Sequence, residues 1–154
     1  MSFSHSNTWT LAANPADVFR ALTEPAALMK WFAEGAQVEP RAGGVYRFWG
    51  RHTLGTPPQD AARQTITRYE ANTALGFDWP INEVDTDVLV RLEPTPNGTR
   101  LTLTHHVSGD LNLPRQRELI DDHWRLAIGN LESYLTGGAG VKLPDYLDPP
   151  RTEG

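Results

Sequence analysis

Between Arg115 and Thr136 the chain carries one uninterrupted amphipathic period, and that stretch limits what the remainder can become. Leu119, Ile120, Trp124, Ala127, Ile128, Leu131 and Leu135 recur at intervals of three and four, which predicts one apolar face of a helix. Arg117, Asp121, Asp122, Arg125, Asn130 and Glu132 occupy the other face, with Asp121 and Arg125 at the i,i+4 spacing of an ion pair. At about 1.5 Å per residue the helix spans roughly 30 Å, the width of a small domain. Gly137 and Gly138 suit a left-handed stop. Nearly everything before it reads as strand. A sheet with one long helix needs that helix to cover its apolar face, so a functional site belongs between the two.

The 154 residues suit one domain over 1–136, with 137–154 as a C-terminal extension. A net charge of −5 argues against a nucleic-acid partner, and the twelve arginines are scattered instead of forming a basic patch. No apolar run reaches the length of a membrane span, and the N-terminal MSFSHSNTW lacks the apolar segment of a signal peptide. The absence of cysteine rules out disulfides, thiolate nucleophiles and Cys-ligated metals, and makes a cytoplasmic location the default expectation.

Taken in order, Ser6 to Ala12 alternates as a first strand with Trp9 and Leu11 on one side. Asn14 is placed as an N-cap, Pro15 at N1 and Asp17 at N3 of a short helix bearing Val18, Phe19 and Leu22. A second short helix carries Leu28, Trp31 and Phe32 and ends at Gly35. The period then changes to two. Strands are predicted over 36–39, 45–49, 63–69, 74–79, 87–93 and 100–107, with a long loop over 50–62 and a hairpin turn at Asn97-Gly98. In the last strand Leu101, Leu103, His105 and Val107 share one face. Within 45–49 either Tyr46 and Phe48 or Arg47 and Trp49 face inward, and alternation alone does not choose between them.

The segments ADVFRALTEPAALMKWF, GGVYRFWG, ALGFDWP, NGTRLTLTHHV and HWRLAIGNLESYL occur in an order that resembles the START-like (SRPBCC) superfamily, and most of all its branch of Hsp90-ATPase-activator-homologue domains. The likeness covers roughly residues 8 to 136. It implies an α+β helix-grip (START/Bet v 1-like) fold: a curved antiparallel sheet wrapped around the long C-terminal helix, two short helices after the first strand, and a cavity between sheet and helix. The superfamily holds carriers, receptors, cyclases and co-chaperone domains, so the fold alone does not name an activity.

Catalytic signatures are scarce. No G-x-S-x-G, H-E-x-x-H or phosphate loop is present. The glycines of 137–140 follow a helix instead of opening one, and Glu83, Asp85 and Asp87 lack the spacing of a calcium loop. His105 and His106 point to opposite faces of a strand and cannot jointly ligate a metal in regular geometry. His105 is read either as a satisfied core histidine or as a polar anchor in a cavity, and His123 as lying at the edge of the helix's buried face.

The aromatic residues carry the strongest functional signal. The candidate ligand-binding set is Trp31, Phe32, Tyr46, Phe48, Trp49, Phe77, Trp79, Val90, Leu103, His105, Trp124 and Ile128. It predicts a small hydrophobic or amphipathic ligand, oriented by His105 and Arg47. No cofactor or metal is implied. The alternatives are a cyclase-type enzyme using His105 or Tyr46 as acid and base, and an Hsp90-type co-chaperone. A homodimer also remains open.

Overall fold

The computed structural model describes residues 2–50 and 63–137, in the order β1 (Phe3–Leu11), α1 (Pro15–Thr23), α2 (Pro25–Trp31), β2 (Gly35–Val38), β3 (Tyr46–Trp49), β4 (Ile66–Glu70), β5 (Ala74–Asp78), β6 (Thr86–Thr95), β7 (Gly98–Val107) and α3 (Gln116–Leu135). The long loop expected over 50–62 lies almost wholly outside the described residues, and so does the extension from 138 onward. A curved antiparallel sheet in the order β1-β7-β6-β5-β4 packs its inner face against α3. The β2–β3 ribbon joins the β4 end through Tyr46 N to Gln64 O (2.9 Å) and Ile66 N to Gly44 O (2.8 Å). This is the helix-grip architecture that the resemblance implied.

Local chemistry explains the elements. Asn14 accepts the Asp17 amide at 2.8 Å and Pro15 opens α1, as the capping rules require. In α3 the Asp121–Arg125 pair forms at 2.9 Å, and Gly137 takes a φ of +96° just past the helix. Ile120, Trp124, Ala127, Ile128 and Leu131 are buried, whereas Leu119 and Leu135 at the ends are only half-buried.

Two expectations change, and one open choice resolves. The β6–β7 turn is Pro96-Asn97, with Gly98 already paired to Thr95. Gly98 is needed for close approach: a Cβ there would collide with the Leu11 carbonyl at the end of β1. The β3 register resolves with Tyr46 and Phe48 buried and Arg47 and Trp49 on the other face. The buried Gln64 side chain acts as a strand partner here, accepting the Phe48 amide (3.3 Å) and donating to its carbonyl (3.0 Å). Finally, His123 is fully buried and does not sit at an edge.

Candidate functional site: an aromatic seam between sheet and helix

Rings from three strands (β3, β5 and β7) and two helices (α2 and α3), with Phe32 and Trp79 just past α2 and β5, converge where α3 crosses the sheet. Phe32, just past α2, lies parallel to Trp124 of α3 with centroids 6.1 Å apart, and Phe48 and Trp79 meet edge to face at 5.1 Å. Trp79 in turn stacks on His105 at 5.5 Å and touches His123 at 5.4 Å.

Part of this seam is closed by a directed hydrogen-bond chain. Trp124 Nε1 is 3.0 Å from His105 Nδ1, and an indole nitrogen only donates, so Nδ1 is the bare acceptor. The imidazole proton therefore sits on Nε2, 2.9 Å from Thr86 Oγ1. The Thr86 hydroxyl then donates to the Trp79 carbonyl at 2.5 Å. Helix, β7 and β6 are tied together by one relay in which every donor has its acceptor. Burial pushes His105 down to about 3, with smaller contributions from His5 and His106. Burial, with His105 beside it, also holds His123 at about 3. Both rings are neutral near neutral pH.

Beside the relay lies a void of about 10 Å³. Its wall includes Trp31, Phe32, Tyr46, Phe77, Val90, Leu103, Trp124 and Ile128, eight of the twelve residues singled out in the sequence. Leu22 of α1 and Leu101 of β7 complete it. Leu101 shares a face with Leu103 and was detectable by alternation. Leu22 was visible only as part of a helix stripe. The polar tips in the wall are turned away and satisfied: Tyr46 donates to the Leu22 carbonyl (2.6 Å), Trp31 to the Ala21 carbonyl (3.0 Å), and Trp124 to His105. Two cavity-lining rings thus cap the last-turn carbonyls of α1, which a helix end otherwise leaves open.

The remaining four candidates sit elsewhere. Phe48 and Trp79 belong to the ring cluster behind Phe32, and His105 belongs to the relay. Trp49 is on the outer face, with the Arg47 guanidinium 5.4 Å from its ring centroid. Arg47 also bonds Gln37 at 2.5 Å, so neither Arg47 nor His105 is placed to orient a ligand's polar end in the void. Tyr46 is likewise no acid or base, since burial raises its pKa above the ordinary phenol value. The buried Trp79 Nε1 has no acceptor among the described residues. Trp79 lies 6.5 Å from Phe32 and 6.0 Å from Trp124, ring to ring.

The family model described as Activator of Hsp90 ATPase homolog 1-like protein matches residues 12–136. The chain belongs to that family. Solved structures sharing the family's fold include a protein of Mesorhizobium loti (19% identity, TM-score 0.72, covering 87% of this chain and 97% of that one) and one of Staphylococcus saprophyticus (18%, 0.72, 92% and 97%). A third, from Nitrosomonas europaea, has 23% identity and a TM-score of 0.64 over 86% and 94%. Comparison with the curated proteins gives no match. Among the described residues no helix is long and apolar enough to cross a membrane.

Proposed function

We propose that the protein binds a small, mostly apolar molecule between the sheet and α3, at the void beside the His105 relay. The fold is consistent with ligand-binding or co-chaperone roles, and the observation that favours the first is the character of the void's wall. Side chains from seven elements and Phe32 meet there in an almost wholly apolar lining. A volume of about 10 Å³ holds at most one water, and a water there would have no polar partners. Binding therefore requires the wall to yield. Its α1–α2 side is held to the lining rings by the Tyr46–Leu22 and Trp31–Ala21 bonds. Affinity would come from burying ligand surface, at about 25 cal/mol per Å² before association costs.

The cyclase-type alternative finds no support in the seam: His105 and His123 lie near 3 and Tyr46 is pushed up, so no group there is poised for proton transfer near neutrality. The family's description supports a second reading, stimulation of an Hsp90-type ATPase. The deciding experiment is native mass spectrometry of gently purified protein, followed by titration of the released molecule and of lipids, steroids and aromatic acids while recording tryptophan emission. A saturable emission change, weakened by Val90→Ile, supports binding in the void. An emission spectrum unmoved by every compound, together with saturable stimulation of the ATPase, would transfer the function to the surface.

A further inference from the structure

The two ends of the sheet are protected very differently. At one end, β2 has four residues and stops before Pro40, and β4 has five with a register shift between Ile66 and Arg68. Short, bulged strands beside proline are how proteins discourage edge pairing. At the other end, β1 runs for nine residues, Phe3–Leu11, in unbroken register with β7. It contains no proline, lysine, arginine or carboxylate. Apart from its pairing with β7, no backbone hydrogen bond is made by Phe3–Leu11 to any described residue. Its outward-facing Ser4, Ser6 and Thr8 are short and already engaged with His106 (2.9 Å), Thr104 (3.1 Å) and Thr102 (3.3 Å) of β7.

The strand is also held rigidly from within. Asp121 of α3 accepts from Asn7 at 3.0 Å and lies 3.2 Å from His5 Nε2, while Arg125 fixes its second oxygen at 2.9 Å. An edge already anchored loses little freedom when it gains a neighbour. We infer that the β1 edge pairs with the β1 edge of a second copy, antiparallel about a two-fold axis, joining two five-stranded sheets. Two-fold pairing sets each residue against its own strand in the partner, so a charged residue near the axis would meet its like. β1 carries no permanent charge, and its histidine is turned inward to Asp121 on the same molecule.

Because the chain has no cysteine, a single introduced thiol reports directly on this pairing. Ser4→Cys, Ser6→Cys, Thr8→Cys and Thr10→Cys are prepared, with Thr73→Cys in the exposed β4–β5 turn as control. Wild-type protein should sediment as a concentration-dependent dimer of twice 17.1 kDa. The variant nearest the axis should oxidise to covalent dimer much faster than the control, because a disulfide needs Cα atoms within about 4.4–6.8 Å. Ser6→Lys with Thr8→Lys should sediment as a folded monomer. A wild type that stays monomeric at every concentration, or a dimer that survives the double lysine variant, overturns the proposal.

Discussion

The relay and the void share Trp124 and lie side by side in the same seam, yet they are built on opposite principles. In the relay, each donor, Trp124 Nε1, then His105 Nε2, then the Thr86 hydroxyl, has one acceptor, and the chain ends on the Trp79 carbonyl. Removing any member leaves a buried group unsatisfied, so the arrangement specifies one geometry. Around the void, Val90, Leu103, Ile128 and Phe77 meet only through dispersion, which tolerates displacement. A polar relay fixes where the helix lies on the sheet, and an apolar neighbour is left free to change shape. The proposed binding role needs both.

The largest effect expected from disturbing the relay comes through pH. His105 and His123 have folded values near 3 against an ordinary 6.5, so below 6.5 the unfolded chain takes up protons that the folded one refuses. Their stabilising contribution is complete above 6.5 and is lost as pH falls toward 3, by on the order of 1 kcal/mol per pH unit for each ring. Denaturant midpoints measured from pH 7 to 4 should fall accordingly, and His105→Gln should flatten the slope. An unchanged slope in that variant would mean that its ring is not the buried neutral group described.

Next in size is Trp124→Ala, which strips both regions of their shared ring and should cost about 3–5 kcal/mol in equilibrium unfolding. Trp124→Phe sharpens the comparison. It keeps the ring against Phe32 but orphans His105 Nδ1, and should cost about 1–3 kcal/mol. If the two variants are equally unstable, the relay and not the packing dominates at this position.

Leu103→Ala acts on the void alone. It should cost about 2–5 kcal/mol while enlarging the space enough to admit a small apolar probe such as benzene. Stability regained on adding the probe, read as a rise in Tm, would mark the cavity as accessible; no rise would show a wall that collapses to fill the gap. The smallest effect is expected from Tyr46→Phe, which leaves the Leu22 carbonyl without its donor at about 1 kcal/mol. Its more informative consequence is kinetic, because a looser end of α1 should speed ligand association.

Much of this contrast could be read from the chain, though unevenly. The period of α3, the strict alternation of Leu101, Leu103, His105 and Val107, and the Asn14 cap are strong local signals, and each appears where it was expected. Eight of the void's wall residues followed from asking which aromatic and apolar residues must converge in such a fold. The register of β3 was undecidable because Tyr46, Phe48 and Trp49 are all suited to burial; a glutamine at 64, far along the chain, settles it. Its place one position before Trp124 puts His123 at the edge of the helix's apolar face in the sequence, yet neutral imidazole packs among Phe32, Trp79 and Trp124 as another ring. Gly98 carried a turn signal but serves contact with β1, a reason that only tertiary structure supplies. The partnering of both His105 nitrogens was equally hidden, since it needs residues from three elements.

The most direct test of a fixed relay beside a yielding void is methyl and aromatic NMR during titration with the molecule released in native mass spectrometry, or with xenon if none is found. The account predicts saturable shifts at the methyl groups of Leu22, Val90, Leu101, Leu103 and Ile128, with the His105 ring keeping its Nε2–H tautomer throughout. Shifts confined to other parts of the core, or a relay that breaks as the ligand binds, would contradict it.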